Sequence, residues 1–325
     1  MESHILVTGG AGYIGSHMTL ALQAASERAV VIDDLSTGRR EAIPAGVPLF
    51  QGSVGDAGFV GDVMDRYPIG AIIHFAASIV VPDSVTHPLD YYRNNTANAR
   101  TLIDCAVQRG VPHVVFSSTA AVYGEPDRTP IGENLPTQPI NPYGRSKLMV
   151  EWILGDVARA HPLSYAALRY FNVAGADPEG RTGQSTPNAT HLIKIAVQAA
   201  LGKRDGIDVF GTDYPTPDGS CIRDYVHVSD LVAAHLDALR YLRAGQPSIT
   251  CNIGYAAGYS VLEVIEVVKR VSGVDFPVRL EGRRAGDPAV LVASNDSAKT
   301  QLGWTPRYDD LETIVRHALA WERQL

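Results

Sequence analysis

Short apolar segments alternate with longer segments of helical periodicity through the first half of the chain. The apolar segments, which predict strands, are residues 5–7, 29–32, 48–50, 71–75, 113–116 and 165–169. The segments between them predict helices near 13–25, 56–67, 88–109 and 143–160. Strands that are apolar on both faces and separated by helices are typical of a parallel sheet buried between two helical layers. The sequence therefore predicts an α/β fold with a doubly wound parallel sheet.

The alternation of apolar and helical segments ends after Tyr170. Two segments rich in Gly, Pro, Asp and Thr, residues 175–188 and 211–219, predict long loops, and loops of this length in a compact domain usually line a site. Further helices are predicted over 225–244, 261–271 and 309–323, and a strand over 276–280. We expect a larger domain of residues 1–172, against which 225–255 pack back, and a smaller C-terminal α/β lobe of residues 173–224 and 256–325.

Charge and composition exclude several classes of protein. The chain of 325 residues has a net charge of −7 and a pI near 5.8, which argues against a surface for nucleic acid or anionic membrane. No apolar run approaches the ~20 residues needed to cross a bilayer. The three cysteines are far apart and outside any CxxC pattern, which predicts reduced thiols. We expect a soluble cytoplasmic protein that binds no metal, nucleic acid or membrane.

Three glycines directly follow the first predicted strand. Gly9, Gly12 and Gly15 form a GxxGxxG spacing that opens the next predicted helix. Glycine lets the backbone turn tightly and approach a pyrophosphate, which then lies at the N-terminus of the helix. The second strand ends in Asp33 and Asp34, where a carboxylate would bind an adenosine ribose and repel the extra phosphate of NADP. This variant of the Rossmann fingerprint predicts NAD as the cofactor.

A tyrosine and a lysine four residues apart lie in a predicted helix. Tyr143 and Lys147 are at i and i+4, so their side chains share one helical face. A free tyrosine has a pKa of ~10, and the lysine cation together with the positive nicotinamide ring of NAD could lower it toward neutrality. This spacing alone is common in solvated helices. Here Thr119 follows the strand 113–116 and could hydrogen-bond a reacting hydroxyl, because ligands bind at the carboxyl edge of such sheets.

At these motifs the sequence resembles the extended short-chain dehydrogenase/reductase family, and within it the UDP-galactose (UDP-glucose) 4-epimerases. The resemblance runs over essentially the whole chain. The segments that carry it are TGGAGYIGSH at 8–17, HFAA at 74–77, YYRNN at 91–95, FSSTAAVYG at 116–124, NPYGRSK at 141–147, LRYFNVAGA at 168–176, RDYVHVSDL at 223–231 and RRAGDP at 283–288. It implies that the larger domain is an NAD-binding Rossmann domain and that the C-terminal lobe binds a UDP-sugar.

The resemblance also implies roles for single residues around the cofactor. Tyr143 would be the catalytic base, Lys147 would hold the nicotinamide ribose, and Thr119 would contact the sugar hydroxyl. The residues implied to bind NAD are Gly9, Gly12, Tyr13, Ile14, Gly15, Asp33, Asp34, Phe75, Ala76, Ala77, Asn95, Ser117, Tyr143, Lys147 and Tyr170. Two positions depart from the common pattern: Ser53 lies where many relatives carry an Asp near the adenine, and Ile79 lies where some epimerases have a basic residue near the cofactor.

A second set of residues is implied to bind the UDP-sugar. Its members are Thr119, Tyr143, Asn172, Arg223, Arg284, Asp287 and Leu291. Arg223 and Arg284 would pair with the diphosphate, since two guanidiniums can neutralise it through charge-assisted bonds. Asp287 would bind the uridine ribose. The alternative for Arg223 is an ion pair with its neighbour Asp224.

The implied reaction is redox-neutral. Tyr143 removes the proton of the 4-hydroxyl while the C4 hydride passes to NAD, the 4-keto sugar turns over, and hydride returns to the opposite face. The nucleotide is gripped firmly, so binding energy from its non-reacting part holds the intermediate. The resemblance also implies a homodimer formed through the helices at 88–109 and 143–160.

Other functions remain open to different degrees. A nucleotide-sugar 4,6-dehydratase would carry an Asp-Glu pair after Thr119, whereas this chain has Ala120 and Ala121. A 4-epimerase of a UDP-N-acetylhexosamine, UDP-pentose or UDP-uronate shares the chemistry. Leu291 lies at a position implied to gate the sugar site, where leucine is intermediate between tyrosine and the smaller residues associated with N-acetyl sugars. A non-catalytic NAD-binding sensor usually lacks the pair formed by Tyr143 and Lys147.

Overall fold

Strands from both halves of the chain build the sheets of the computed structural model, which describes residues 3–186, 189–284 and 287–325. The strands are β1 (His4–Thr8), β2 (Ala29–Asp33), β3 (Leu49–Gln51), β4 (Ile69–His74), β5 (His113–Ser117), β6 (Ser164–Tyr170), β7 (Asn172–Ala174), β8 (Ile207–Phe210), β9 (Ile222–His227), β10 (Ile249–Ile253), β11 (Gly258–Ser260), β12 (Val278–Glu281) and β13 (Val290–Leu291). Residues 187–188 of the first predicted loop and 285–286 of the RRAGDP motif lie outside the described residues.

Seven of these strands form one parallel sheet in the order β10-β6-β5-β4-β1-β2-β3. The change of direction lies between β1 and β4, which is the arrangement of a doubly wound sheet. The predicted fold class is therefore confirmed. A smaller sheet joins β11, β9 and β13, with β7 also paired to β9, and β12 pairs with β8.

Helices cover both faces of the large sheet. The helices are α1 (Tyr13–Ala24), α2 (Ala57–Arg66), α3 (Val81–Thr86), α4 (Pro88–Tyr91), α5 (Asn98–Gln108), α6 (Pro142–Ala160), α7 (Leu192–Ala200), α8 (Val228–Arg243), α9 (Val261–Ser272), α10 (Asp296–Gln301) and α11 (Leu311–Glu322). On one face α1 and α8 enclose an apolar core, and on the other α2, α5 and α6 enclose a second one. A third core lies among α7, α9 and α11.

Local signals in the sequence explain where several helices begin and end. The α6 helix starts after Asn141, whose side chain accepts a hydrogen bond from the Gly144 N–H at 2.8 Å, and Pro142 occupies the first turn. The α9 helix starts with a reciprocal capping box between Ser260 and Glu263. It ends at Gly273, whose φ of 73° closes the helix in the left-handed region.

The six strands and four helices predicted for the first half are all present. The helix predicted over 88–109 is formed by α4 and α5, joined by a π-helical segment over residues 92–97. One prediction was wrong in part, because the segment 225–244 is not helical from its start. Tyr225–His227 end strand β9, and α8 begins only at Val228, since the His227 ring accepts the Ser229 N–H and caps the helix.

Within the described part of the chain, every helix is too short or too polar to cross a membrane. Cys105, Cys221 and Cys251 are all buried and free.

Candidate active site

The glycine loop between β1 and α1 forms a cradle in which Gly9 and Gly15 leave no room for a side chain. Gly9 has a φ of 71°, and a Cβ there would lie 2.6 Å from the backbone nitrogen of Ala76. A Cβ on Gly15 would lie 2.1 Å from the Gly9 carbonyl oxygen. The α1 helix begins after Gly12 with no side-chain cap among the described residues and no acid in its first turn. Its N–H groups, including those of Tyr13 and Ile14, are therefore available to a pyrophosphate.

The two acidic residues after β2 occupy different environments. Asp33 is buried and its carboxylate accepts the Ala11 N–H at 2.9 Å and the Leu35 N–H at 2.8 Å. Burial raises the pKa of Asp33, and these hydrogen bonds oppose the rise. Asp34 is exposed and accepts hydrogen bonds from the backbone and the hydroxyl of Ser36. The structure therefore places Asp33, rather than Asp34, against the glycine loop.

The segment after β4 closes the cradle from the other side. The Phe75 N–H donates to the Thr8 carbonyl at 2.9 Å, and Ala76 lies against Gly9. Ala77 follows directly along the chain. The buried Asn95 side chain accepts the Ser78 N–H and donates to the Ser78 carbonyl and the Ser146 hydroxyl. Asn95 thus ties this segment to α6, a structural role that the sequence did not indicate.

Tyr143 and Lys147 lie on the face of α6 that meets the carboxyl end of β5. Both side chains are buried, and the Lys147 ammonium donates to the Ser117 carbonyl at 2.8 Å. The same ammonium lies 5.0 Å from the centre of the Phe116 ring. Tyr143 hydrogen-bonds with the Thr119 hydroxyl. The structure therefore brings together the three residues predicted to react with substrate.

The sequence predicts that the Lys147 cation helps to lower the pKa of Tyr143, but the structure shows other influences on this pKa. Burial raises the pKa of Tyr143, and the influence that opposes burial is the hydrogen bond with Thr119 rather than the Lys147 ammonium. Burial lowers the pKa of Lys147 to about 7, and the nearby carboxylate of Glu151 opposes that shift. The protein's own groups therefore leave Tyr143 protonated at neutral pH, and a further positive charge is needed to make it a base.

The end of β6 completes this edge of the sheet. The Tyr170 and Ser117 hydroxyls hydrogen-bond to each other. Burial raises the pKa of Tyr170. Both residues were predicted to contact the cofactor, and they lie on neighbouring strands at the edge where α6 presents Lys147.

Three of the residues predicted to bind substrate meet on the smaller sheet. Leu291 of β13 pairs in register with Arg223 of β9. The Arg223 guanidinium is 3.3 Å from the Asp287 carboxylate, so the alternative ion pair with Asp224 is not formed. The buried Asp224 carboxylate instead accepts backbone N–H groups of three residues, which are Tyr255, Ala256 and Ala293.

The other two predicted substrate residues lie on separate elements. Asn172 begins β7, which is paired with β9 at Tyr225. Arg284 is exposed, and its guanidinium carbon lies 3.6 Å from the centre of the Phe210 ring at the end of β8. A flat cation on an aromatic face is held weakly enough to be exchanged for a ligand. Arg223 and Arg284 were predicted to bind the same diphosphate. The contact shown for Arg284 is with Phe210, and it does not bring the two arginines together.

Sequence reasoning missed the contacts that join the first turn of α1 to the loop at 175–186. The Tyr13 hydroxyl donates to the Gly175 carbonyl at 2.7 Å. The hydroxyls of Ser16 and Thr182 are 2.9 Å apart. The loop had been predicted to line a site from its length and composition, but a hydroxyl-to-carbonyl contact has no sequence signature. Helix α1 and the loop at 175–186 are thereby held together beside the cradle.

Comparisons with known proteins agree with this geometry. Residues 5–254 match the NAD dependent epimerase/dehydratase family. The chain is 59% identical over 321 residues to the UDP-glucose 4-epimerase of Azospirillum brasilense, covering 99% of this chain and 92% of that protein.

Two solved structures are similar throughout. One is a UDP-glucose 4-epimerase from Brucella ovis in complex with NAD, with a TM-score of 0.95, 43% identity and 98% of each chain covered. The other is the UDP-Glc/GlcNAc 4-epimerase of Campylobacter jejuni, with a TM-score of 0.87 and 48% identity, covering 99% of this chain and 100% of that one.

Proposed function

Because the chain belongs to the NAD dependent epimerase/dehydratase family, we propose that it interconverts UDP-galactose and UDP-glucose by oxidising C4 of the sugar and reducing it again. The observation that carries this proposal is the meeting of Tyr143, Lys147 and Thr119 at the sheet edge that also bears the glycine cradle. Ala120 and Ala121 at the next positions offer no acid or base for elimination of water.

The cradle fits NAD. Glycines at positions where a Cβ would collide, together with the uncapped start of α1, would hold the pyrophosphate. Asp33 would bind the adenosine ribose, and Lys147 would hold the nicotinamide ribose. When bound, NAD supplies the acceptor for the hydride that leaves C4 of the sugar, and the positive charge of its nicotinamide ring favours the Tyr143 phenolate.

The chain's own residues handle the proton. Tyr143 accepts the proton of the 4-hydroxyl and returns it after the sugar has turned over, so one side chain serves both directions. Thr119 donates to the reacting oxygen and orients it. Lys147 is fixed by its bond to the Ser117 carbonyl, so its charge stays one helical turn from the phenol.

The smaller sheet would grip the nucleotide. Arg223 and Arg284 would pair with the diphosphate, and Asp287 would bind the uridine ribose. In the protein alone Arg223 is paired with Asp287, and Arg284 lies on Phe210. Under this proposal both arginines would exchange partners when UDP binds, and Asn172 would contact the substrate near its sugar or diphosphate.

The test is incubation of purified protein with UDP-galactose, without added nicotinamide, followed by chromatography of the products. Formation of UDP-glucose without net NADH supports the proposal and retention of the cofactor. If turnover appears only after NAD is added, the cofactor is weakly held, and Ser53 and the exposed Ile79 are the positions to restore. No turnover with NAD present would reject this substrate pair.

Leu291, which pairs in register with Arg223, favours UDP-N-acetylhexosamines as a second substrate class. We propose that Leu291 leaves room for an N-acetyl group, and the similar Campylobacter jejuni enzyme is named for both UDP-Glc and GlcNAc. We expect slow turnover of UDP-N-acetylglucosamine, and we expect Leu291→Tyr to reduce it about tenfold relative to UDP-galactose. Product ratios from the same chromatographic assay measure this. No N-acetylhexosamine turnover by the unaltered protein would remove the idea, leaving pentoses and uronates as other sugars to assay.

We also propose that the protein forms a homodimer through the face built by α3, α4 and α6, which pack against one another. Four large apolar side chains are exposed on these helices: Val81 at 38%, Val85 at 62%, Leu89 at 80% and Trp152 at 59%. Exposed apolar side chains grouped on one face mark an interaction surface. We expect Trp152→Arg to weaken dimerisation more than tenfold, measured by sedimentation velocity.

Val274→Arg provides a matched control for the dimer, because Val274 is 42% exposed and follows α9 on another part of the molecule. It is expected to leave the association state unchanged. An identical sedimentation coefficient for the unaltered protein, Trp152→Arg and Val274→Arg would place the association elsewhere or show that there is none.

We also propose that the chain divides into two lobes with different ligands. Residues 1–172 would bind NAD, with residues 225–255 packed on them, and residues 173–224 and 256–325 would bind the UDP-sugar. The position of β10 next to β6 in the large sheet supports this division.

A further inference from the structure

A carboxylate lies one helical turn beyond the catalytic lysine. Tyr143, Lys147 and Glu151 are spaced by four residues along α6, so they lie along one face of the helix. The Glu151 side chain is 7% exposed, which is rare for a carboxylate unless it is paired. Neither the sequence motifs nor the proposed reaction assigns it a role.

Glu151 is fully engaged by partners from two strands. The Arg169 guanidinium of β6 binds it through two parallel hydrogen bonds of 3.0 Å and 2.6 Å. The Ser118 hydroxyl, at the end of β5, donates to the same carboxylate. A bidentate guanidinium pair fixes geometry as well as charge. The helix that carries the catalytic pair is therefore held in register with the ends of both strands.

The network continues away from the helix. A further N–H group of Arg169 donates to the Tyr123 hydroxyl at 2.9 Å, and that hydroxyl donates to the Asn252 side chain of β10 at 2.8 Å. The Asn252 amide then donates to the Ile131 carbonyl at 2.8 Å. Because each buried polar group has a partner, the network is rigid.

Ser118 connects this network to the reacting groups. Its neighbour on one side is Ser117, whose carbonyl accepts the Lys147 ammonium at 2.8 Å. Its neighbour on the other side is Thr119, which hydrogen-bonds with Tyr143. The bond from Ser118 to Glu151 therefore fixes the one residue that lies between the partners of the two catalytic side chains.

Among the titratable and charged groups around Lys147, Glu151 supplies the negative charge. Arg169 on β6 is neutralised by Glu151 itself. His74 on β4 is neutral, because burial lowers its pKa to about 3. The neighbouring tyrosines on α4, α6 and β6, whose pKa values are raised chiefly by burial, are Tyr91, Tyr143 and Tyr170. Removing the negative charge of Glu151 would also leave the Arg169 cation unpaired.

We propose that Glu151 is a positioning residue for the reaction, which holds Ser118 against α6 and supplies the negative charge that keeps Lys147 a cation. This inference rests on the proposed function. In this role Glu151 would act through Lys147 and through the backbone of 117–119 rather than on the substrate itself.

Two variants separate its charge from its packing. Glu151→Gln keeps the shape but removes the charge, so the Lys147 cation is lost at a lower pH. In a plot of kcat against pH, the alkaline limb should shift to lower pH by about one unit, which lowers activity at pH 7 about five-fold. Glu151→Asp keeps the charge but shortens the side chain, so its rate should fall without a shift of that limb. Ser118→Ala should likewise lower the rate and leave the limb in place.

A second measurement does not depend on turnover. The titration of Lys147 can be followed by NMR of isotope-labelled lysine, with Lys147→Met to assign the signal. A lower titration midpoint in Glu151→Gln than in Glu151→Asp supports the proposal. Equal midpoints in both variants and the unaltered protein would overturn it. Absence of epimerase activity in the unaltered protein would reject the proposed function, which this titration does not test.

Glu151→Gln leaves a buried guanidinium unpaired and can fail to fold for that reason. The double variant Glu151→Gln with Arg169→Gln then replaces it, since it removes both charges together. Its Lys147 midpoint should still lie below that of the unaltered protein, and an unchanged midpoint would count against the proposal.

Discussion

Tyr143→Phe is expected to abolish epimerisation while the protein remains folded and keeps its NAD. The substitution removes one hydroxyl from a buried ring, so the packing on α6 is retained. That hydroxyl is the group proposed to accept and return the substrate proton, and a well-placed proton transfer contributes roughly 10²- to 10⁴-fold in rate. Conversion of UDP-galactose to UDP-glucose should fall by at least about 100-fold, with the NAD content after purification unchanged.

Tyr165→Phe is the matched control for this experiment. Tyr165 is a partly buried tyrosine of the large sheet, and it lies at the opposite end of β6 from Tyr170. Its phenol is expected to be dispensable for turnover. Retention of most activity by Tyr143→Phe would show that another group is the base. A protein that binds NAD only as a sensor would lose nothing in either variant.

Gly15→Ala is expected to destabilise the protein and to release NAD, although alanine normally stabilises a helix by about 1 kcal/mol relative to glycine. Gly15 lies in the first turn of α1, and its Cβ would be 2.1 Å from the Gly9 carbonyl oxygen. Backbone must move to relieve this contact, at a cost of about 1–3 kcal/mol. Thermal unfolding and the NAD content after purification measure the two effects.

Gly12→Ala separates packing from the approach of the cofactor. Gly12 has a φ of −76°, which alanine adopts freely, and the nearest atom to its Cβ would be 3.3 Å away. This variant should unfold at nearly the unaltered temperature but bind NAD more weakly, because the added methyl lies at the start of α1. If Gly15→Ala unfolds no earlier than Gly12→Ala, the crowding around Gly9 is not what requires glycine at position 15.

The first half of the fold could be predicted because its strands are apolar and its helices are long. The later strands lack that signal. Two-residue β13 exists only through its pairing with β9, and β10 contains the polar Asn252, which is tolerated in the core because its amide is hydrogen-bonded. The start of α8 was misplaced because residues 225–227 continue a strand before the helix begins.

The shared helical face of Tyr143 and Lys147 could be predicted from their spacing, but the electrostatics of the pair could not. Whether Lys147 lowers the pKa of Tyr143 depends on burial and on what the ammonium binds, and here it binds the Ser117 carbonyl. Likewise, the sequence does not distinguish Asp33 from Asp34, whereas the structure buries only the first. Glu151 was overlooked because a glutamate in a helix is usually solvated.

The place of β10 in the large sheet has a consequence for how the chain folds as it is synthesised. Strand β6 pairs on one side with β5, but its other edge stays unpaired until residues 249–253 have left the ribosome. Helix α8, which covers β5 and β6, also comes late. An unpaired, apolar edge is a template for aggregation. A fragment that stops at residue 172 would keep that edge permanently, so residues 1–172 are not expected to be stable when expressed alone.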